Sequence, residues 1–219
     1  VPAEEKAEFC GSTDYEIDPE TLGDDAILAH FVKIRDEGLA FSEKILDCQV
    51  SASYQRYTKL FWSRDRMMEQ SVMWMTGLLC FVAAKGEEFK TYYRTYSNLG
   101  GAEVLSQIDA DIEECAKAVL ELLDSETITP GEYDCICSPE VTGMIVHEAF
   151  GHGVEMDMFV KKRALAEQYV GERVASDLVT MHDGATAARE VATYYFDDEG
   201  TMAHDTTVID RGILKSGIS

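Results

Sequence analysis

The sequence predicts an α+β protein: an antiparallel sheet with packed helices, followed by a truncated strand-rich domain opened by a helix that bears H-E-x-x-x-H. Three observations carry this. Two long segments repeat apolar residues at helical spacing, the stretch between them is dense in β-formers with period-two alternation, and Pro130-Gly131 breaks the chain ahead of a second set of short strand-like pieces. At 219 residues there is enough chain to bury a core in one large domain or two small ones. A boundary between about residues 126 and 131 divides it into a region 1–127 and a domain 128–219.

Residues 1–23 are acidic and irregular and read as a surface lead-in. From Asp24, "DDAILAHFVKIRDEGLAFSEKILD" opens on acidic capping residues and places Ile27, Phe31, Ile34 and Leu39 on one helical stripe. "CQVSASYQRYTKLFWS" reads as a strand, "RDRMMEQ" as a charged connection, and "SVMWMTGLLCFVAAKGEEFKTYYRTYS" as two strands joined at "KGEE". Three strands in succession predict an antiparallel meander. The helical period then resumes with Val104, Leu105, Ile108, Ile112, Ala116, Val119, Leu120 and Leu123 on one face.

Beyond the break, the pattern predicts a short strand at 133–137, a helix from Pro139 through the histidine motif, and strand-like pieces near 174–181, 191–196 and 206–209. "DDEG" at 197–200 and "DRG" at 210–212 are turn signals, the second set as in a hairpin. The alternation in "EYDCICS" would turn Cys135 and Cys137 to one face of a strand as packing residues. The tryptophans and Met67, Met68, Met73 and Met75 read as core or interface filler.

Composition narrows the partners. The formal charge is -22, with 41 acidic against 19 basic residues, which argues against direct nucleic-acid binding, since phosphate contact needs a Lys/Arg patch. The longest apolar run, 73–84, is too short to span a bilayer as a helix, so no membrane is expected. Six cysteines without CxxC spacing fit reduced thiols in a cytoplasm. The chain lacks an initiating Met and stops at "LKSGIS" as a strand-like segment begins, which suggests a piece of a longer polypeptide.

"MIVHEAFGHG", residues 144–153, is the stretch that carries chemistry. Two neutral imidazoles with a carboxylate beside them are what a catalytic zinc requires: nitrogen ligands, an open position, and a base for water. In HExxH the histidines share a helical face, whereas His147 and His152 are five apart and stand about 140° from each other around a regular helix. A π-bulge, or a helix that ends near the second histidine with glycine in the left-handed conformation, resolves this; either predicts an irregular helix end at 150–153. A capped helix end with surface histidines is the competing reading. Glu155 and Asp157 could orient the histidines or be merely exposed, and His30, His182 and His204 show no partner spacing.

The surroundings of the motif favour the first reading. "HEAFGHGVEMD", "VGERVAS" at 170–176, "HDGA" at 182–185, "DDEGT" at 197–201 and "VIDRGILK" at 208–215, in that order, closely resemble the TldD/PmbA metalloprotease family, historically labelled modulators of DNA gyrase. "GGAEVL" and "PGEYDCICSPEVTGMIVHEA" are similar to its middle region, and the resemblance runs from about residue 14, tightest from Glu132 onward. It implies a zinc-dependent peptidase acting on unfolded or short peptides, as a cytoplasmic homodimer or heterodimer with a family paralogue. Carried over, His147 and His152 are zinc ligands and Glu148 is the general base toward the attacking water. The family's further ligand, a cysteine, would lie beyond residue 219, so the resemblance implies weak or absent zinc and no activity in this piece alone. A non-catalytic partner subunit or peptide-binding module of the same family is the alternative.

Overall fold

A computed structural model describes residues 6–218. The chain falls into two compact units: residues 1–128 with 189–202, and residues 129–188 with 203–219. The first unit therefore takes back fourteen residues from within the stretch that the sequence reads as an unbroken second domain.

The first unit is an α+β sandwich. Its strands are β1 (Ala7–Ser12), β2 (Ile45–Trp62), β3 (Arg66–Lys85) and β4 (Glu88–Leu99), and its helices are the short α1 (Pro19–Leu22), α2 (Asp24–Ala40) and α3 (Leu105–Leu122). β2, β3 and β4 form the expected meander, with registers from Ile45↔Ala83 to Trp62↔Met67 and from Trp74↔Leu99 to Lys85↔Glu88. The lead-in is not wholly irregular. Ala7–Ser12 alternates in burial and joins β3 as a parallel strand, Ala7↔Arg66 through Ser12↔Ser71, while residues 1–5 of that lead-in lie outside the described residues. β1 and β4 thus share the side of β3 that β2 does not occupy.

The charged "RDRMMEQ" is a turn only at its start. Arg66 already belongs to β3, so one tight reversal joins two strands of 18 and 20 residues. α2 likewise stops at Ala40, earlier than its apolar pattern suggests, because Ile45 and Cys48 enter the core from β2. Gly38 permits that approach: a Cβ there would lie 2.6 Å from Cys48 Sγ and 2.8 Å from the Phe81 ring. α3 buries Leu105, Ile108, Ile112, Cys115, Ala116 and Val119, and with Ile34, Leu79 and Phe81 these form one continuous core.

Met68, Met73 and Met75 are core residues, but Met67 and Trp62 are exposed, because strand alternation turns them outward. Residues 191–196 contain no strand. They pass along β3, where Trp74 Nε1 donates to Thr193 O at 2.8 Å and the buried Gln70 side chain binds the backbone of Tyr195 and Phe196.

The second unit holds α4 (Pro139–Ala149), α5 (Met156–Val160) and a small sheet in the order β5 (Met181–Asp183), β6 (Thr206–Asp210), β7 (Ile213–Leu214). It is poorer in strands than its sequence suggests: 133–137 and 174–180 are irregular, and Cys135 and Cys137 are exposed rather than packed. With no neighbouring strand to pair, alternation alone does not make β structure. The β6–β7 hairpin does form at "DRG". Its two loop residues, Arg211 and Gly212, have φ of 45° and 83°, the pair of positive values that a type I′ turn needs. Val154, Phe159, Val208, Ile209 and Leu214 make its core. Among the described residues no helix is long and apolar enough to cross a membrane.

Candidate metal centre

α4 begins with Pro139 in its first turn, where a missing N–H costs nothing, and no residue along it is buried. It ends at Ala149, three residues before His152. Phe150 N still donates to Val146 O at 3.1 Å, but Phe150 itself sits at φ -132°, ψ -42°, outside helical values. A tight 3-10 turn, Gly151–Val154, follows, with Gly153 N donating to Phe150 O at 2.9 Å. This change of pitch removes the 140° offset of a regular helix. Neither Gly151 nor Gly153 has a positive φ, so the helix ends through Phe150 and the 3-10 turn rather than through a left-handed glycine.

The result brings the three motif residues together. One ligand atom from each of His147, Glu148 and His152 lies within 4.8 Å of the other two. The imidazole rings meet edge to face, with centroids 4.5 Å apart at 73°. Glu148 stands between them, its oxygens 3.9 Å from His147 Nε2 and 4.0 Å from His152 Nε2.

Glu155 completes the arrangement. Its Oε1 lies 2.8 Å from His152 Nδ1, which fixes the ring and leaves Nε2 for a ligand. That hydrogen bond, with the charges of Glu155 and Glu148, holds the His152 pKa above its ordinary value against a smaller opposing effect of desolvation. The turn is anchored from behind. Ile218 N donates to Val154 O at 2.9 Å and Met156 N to Ile218 O at 2.8 Å, while a Cβ on Gly217 would lie 2.5 Å from Val154 O. Asp157 instead pairs with Lys161 at 2.6 Å, one turn along α5, and has no part in the centre.

These residues fit a zinc ion. Nitrogen donors at about 2.0–2.1 Å in a tetrahedral shell stand roughly 3.3 Å apart, and solvent-exposed side chains already within 4.8 Å reach that by rotamer adjustment. His147 and His152 would be ligands, and the Glu148 carboxylate lies beside them. The chemistry open to such a group is hydrolysis.

A cavity of about 260 Å³ adjoins the centre and is lined by His147, His152, Glu155, Met181, His182 and Asp183, among others. His182 is a residue that sequence reasoning missed. Its Nδ1 lies 3.0 Å from Asp205 Oδ1, a partner 23 residues away. Only the "HDGA" segment of the family resemblance includes it, because spacing along the chain cannot show a pairing between β5 and Asp205, the residue before β6. His30 is paired elsewhere, 3.2 Å from Asp109 in the first unit.

Comparison with known proteins places these features in a family. Residues 130–219 match the PmbA/TldA metallopeptidase C-terminal domain. Over 158 residues, 70% of this chain and 34% of the relative, the sequence is 30% identical to a metalloprotease of Methanothermobacter thermautotrophicus. It is also 30% identical over 112 residues, 51% of this chain and 24% of the relative, to a zinc metalloprotease TldD homolog of Saccharolobus solfataricus. The fold matches the crystal structure of a proposed modulator of DNA gyrase from Bacteroides thetaiotaomicron at a TM-score of 0.78, with 18% identity, over 93% of this chain and 46% of the other. The chain thus spans about a third of the first curated relative and about half of the solved one.

Proposed function

The chain belongs to the PmbA/TldD family of metallopeptidases, and on that premise we propose that it carries the first part of the zinc centre of a TldD-type peptidase acting on unfolded or short peptides. The observation that supports this is the convergence of His147, Glu148 and His152 within 4.8 Å, reached through a helix end that departs from regular geometry. His147 and His152 hold the metal. Two histidines alone hold zinc weakly, so turnover needs a third ligand, a cysteine by the family resemblance.

Zinc, when bound, supplies Lewis acidity that polarises a carbonyl and lowers the pKa of a water to about 7. Glu148 takes the proton of the attacking water and delivers it to the leaving amine. Glu155 holds His152 in the tautomer that offers Nε2. The protein works in the cytoplasm as a dimer with an identical chain or a family paralogue. Its charge of -22 disfavours duplex DNA as a direct ligand, so a gyrase-related role would have to run through peptide cleavage.

Elemental analysis of the full-length protein and of this 219-residue chain, each purified without added metal or chelator, tests the reading. The expected result is about one zinc per full-length chain and little on the shorter one. Zinc on neither, even after incubation with the metal, overturns it in favour of a non-catalytic subunit.

A further inference from the structure

We propose that His182, oriented by Asp205, is a substrate-binding residue that hydrogen-bonds the backbone of a peptide lying against the His147–Glu148–His152 centre. The proposal rests on the peptidase reading and assigns that site a second polar contact.

Three features of the second unit carry it. First, His182 lines the same cavity as His147, His152 and Glu155 but comes from β5, a different element from the one that bears the motif. Among the described residues, the group whose ligand atoms converge within 4.8 Å contains His147, Glu148 and His152 and not His182. His182 therefore faces the space beside the centre without belonging to it, which is where a peptide held at the centre extends.

Second, the ring is oriented. Asp205 Oδ1 accepts from His182 Nδ1–H at 3.0 Å, which leaves Nε2 as the nitrogen for a ligand. With Nδ1 committed, the neutral ring presents an acceptor at Nε2 and the charged ring a donor. A peptide backbone offers both an N–H and a C=O at each residue, so either form of the ring finds a partner. Side chains of the peptide need not be read, which matches a substrate class defined by exposed backbone rather than sequence.

Third, the local backbone is held firmly. The register of β5 on β6 shifts between Met181 and His182, a bulge of the kind that re-aims a side chain. Gly184 has φ 136°, and a Cβ there would lie 2.1 Å from His204 O, so the turn after His182 is pressed against the segment that carries Asp205. An exposed His–Asp pair contributes little to stability on its own.

The test uses the full-length protein with His182→Ala, His182→Gln and Asp205→Asn variants, and two readouts. One is the Kd of the metal-free protein for a fluorescein-labelled octapeptide of Gly, Ala and Leu, by anisotropy; the other is kcat/KM for casein cleavage by the zinc-loaded protein, with zinc content measured on each sample. His182→Ala should weaken peptide binding about tenfold and lower kcat/KM at least as much, with zinc content unchanged. His182→Gln, which keeps a hydrogen-bonding end, should recover part of the affinity, and Asp205→Asn should show a smaller loss than His182→Ala. Unchanged Kd and kcat/KM in His182→Ala while the wild type binds and cleaves overturns this proposal alone, as does zinc lost in parallel with activity. A zinc-loaded wild type that cleaves nothing overturns the peptidase reading, and this proposal with it.

Discussion

Gln70 and Phe196, 126 residues apart in the chain, exchange two hydrogen bonds: Gln70 Nε2 donates to Phe196 O at 2.9 Å, and Phe196 N–H donates to Gln70 Oε1 at 3.2 Å. The same Oε1 accepts from Tyr195 N at 2.7 Å. Both Gln70 and Phe196 are fully buried. One side chain therefore satisfies backbone groups that a neighbouring strand would otherwise have to pair.

Replacing that amide with a hydrocarbon of similar size, Gln70→Leu, leaves these groups buried without partners at about 1–3 kcal/mol each. The expected loss is roughly 3 kcal/mol in urea unfolding, with faster proteolytic cutting within 189–202 under native conditions. A change under about 0.5 kcal/mol would mean that the segment is held by its other contacts, such as Trp74 to Thr193.

The six thiols should separate into classes, with the half-buried Cys80, also raised by burial, between the extremes. Cys48 and Cys115 are buried, and burial is the largest cause that pushes each from an ordinary 9.0 up to about 11, whereas Cys10, Cys135 and Cys137 are exposed. At pH 8 a thiol reagent should modify the three exposed cysteines at once and the buried pair only on unfolding. Because the folded-state pKa lies above the unfolded one, the stability these two contribute is complete below about pH 9. It is lost as pH rises towards 11, where the unfolded chain has already released the protons. The unfolding midpoint should fall over that window, and less steeply in a Cys48→Ala, Cys115→Ala double variant.

Legibility followed how far apart the deciding residues are. The one-sided face of α3 and the alternation of β3 could be read because each element's burial is written into its own spacing. β1 could not: its partner begins at Arg66, and six residues of "AEFCGS" say nothing about a parallel neighbour 59 positions on. "VATYYF" has strand composition, yet Gln70 does the pairing, so the segment needs no ladder. At the centre, the odd spacing of His147 and His152 called for either a π-bulge or a helix end near 150–153, and the helix ends at Phe150. The pairing of His182 with Asp205 was out of reach, since it depends on the register of β5 on β6.

Glu155→Ala should weaken zinc binding by about 10- to 100-fold in the full-length protein, the usual cost of removing the carboxylate that orients a ligating imidazole. The pH dependence gives a second check. Glu155 raises the His152 pKa, and the metal requires a neutral ring, so in the wild type affinity declines as pH falls through that raised value. Without Glu155 the decline should begin at lower pH, although affinity at pH 8 is poorer. An unchanged profile would show that Glu155 does not govern the protonation of His152 at the centre.

Glu148 can be separated from the ligands by a substitution that keeps its shape. Glu148 lies about 4 Å from both imidazoles without sharing a hydrogen bond with either, so an amide at 148 leaves His147 and His152 where they are. Glu148→Gln cannot accept a proton, and the expected loss in kcat for peptide cleavage by the full-length protein is about 10²- to 10⁴-fold, at unchanged zinc content. His147→Ala and His152→Ala should do the reverse, losing zinc first and activity as a consequence. If Glu148→Gln retained wild-type kcat with zinc in place, proton transfer would have to be assigned to another group at the cavity, and Glu148 would be a polar spacer between two ligands. Zinc lost in Glu148→Gln would make the carboxylate itself a ligand, which its position within 4.8 Å of both histidines permits.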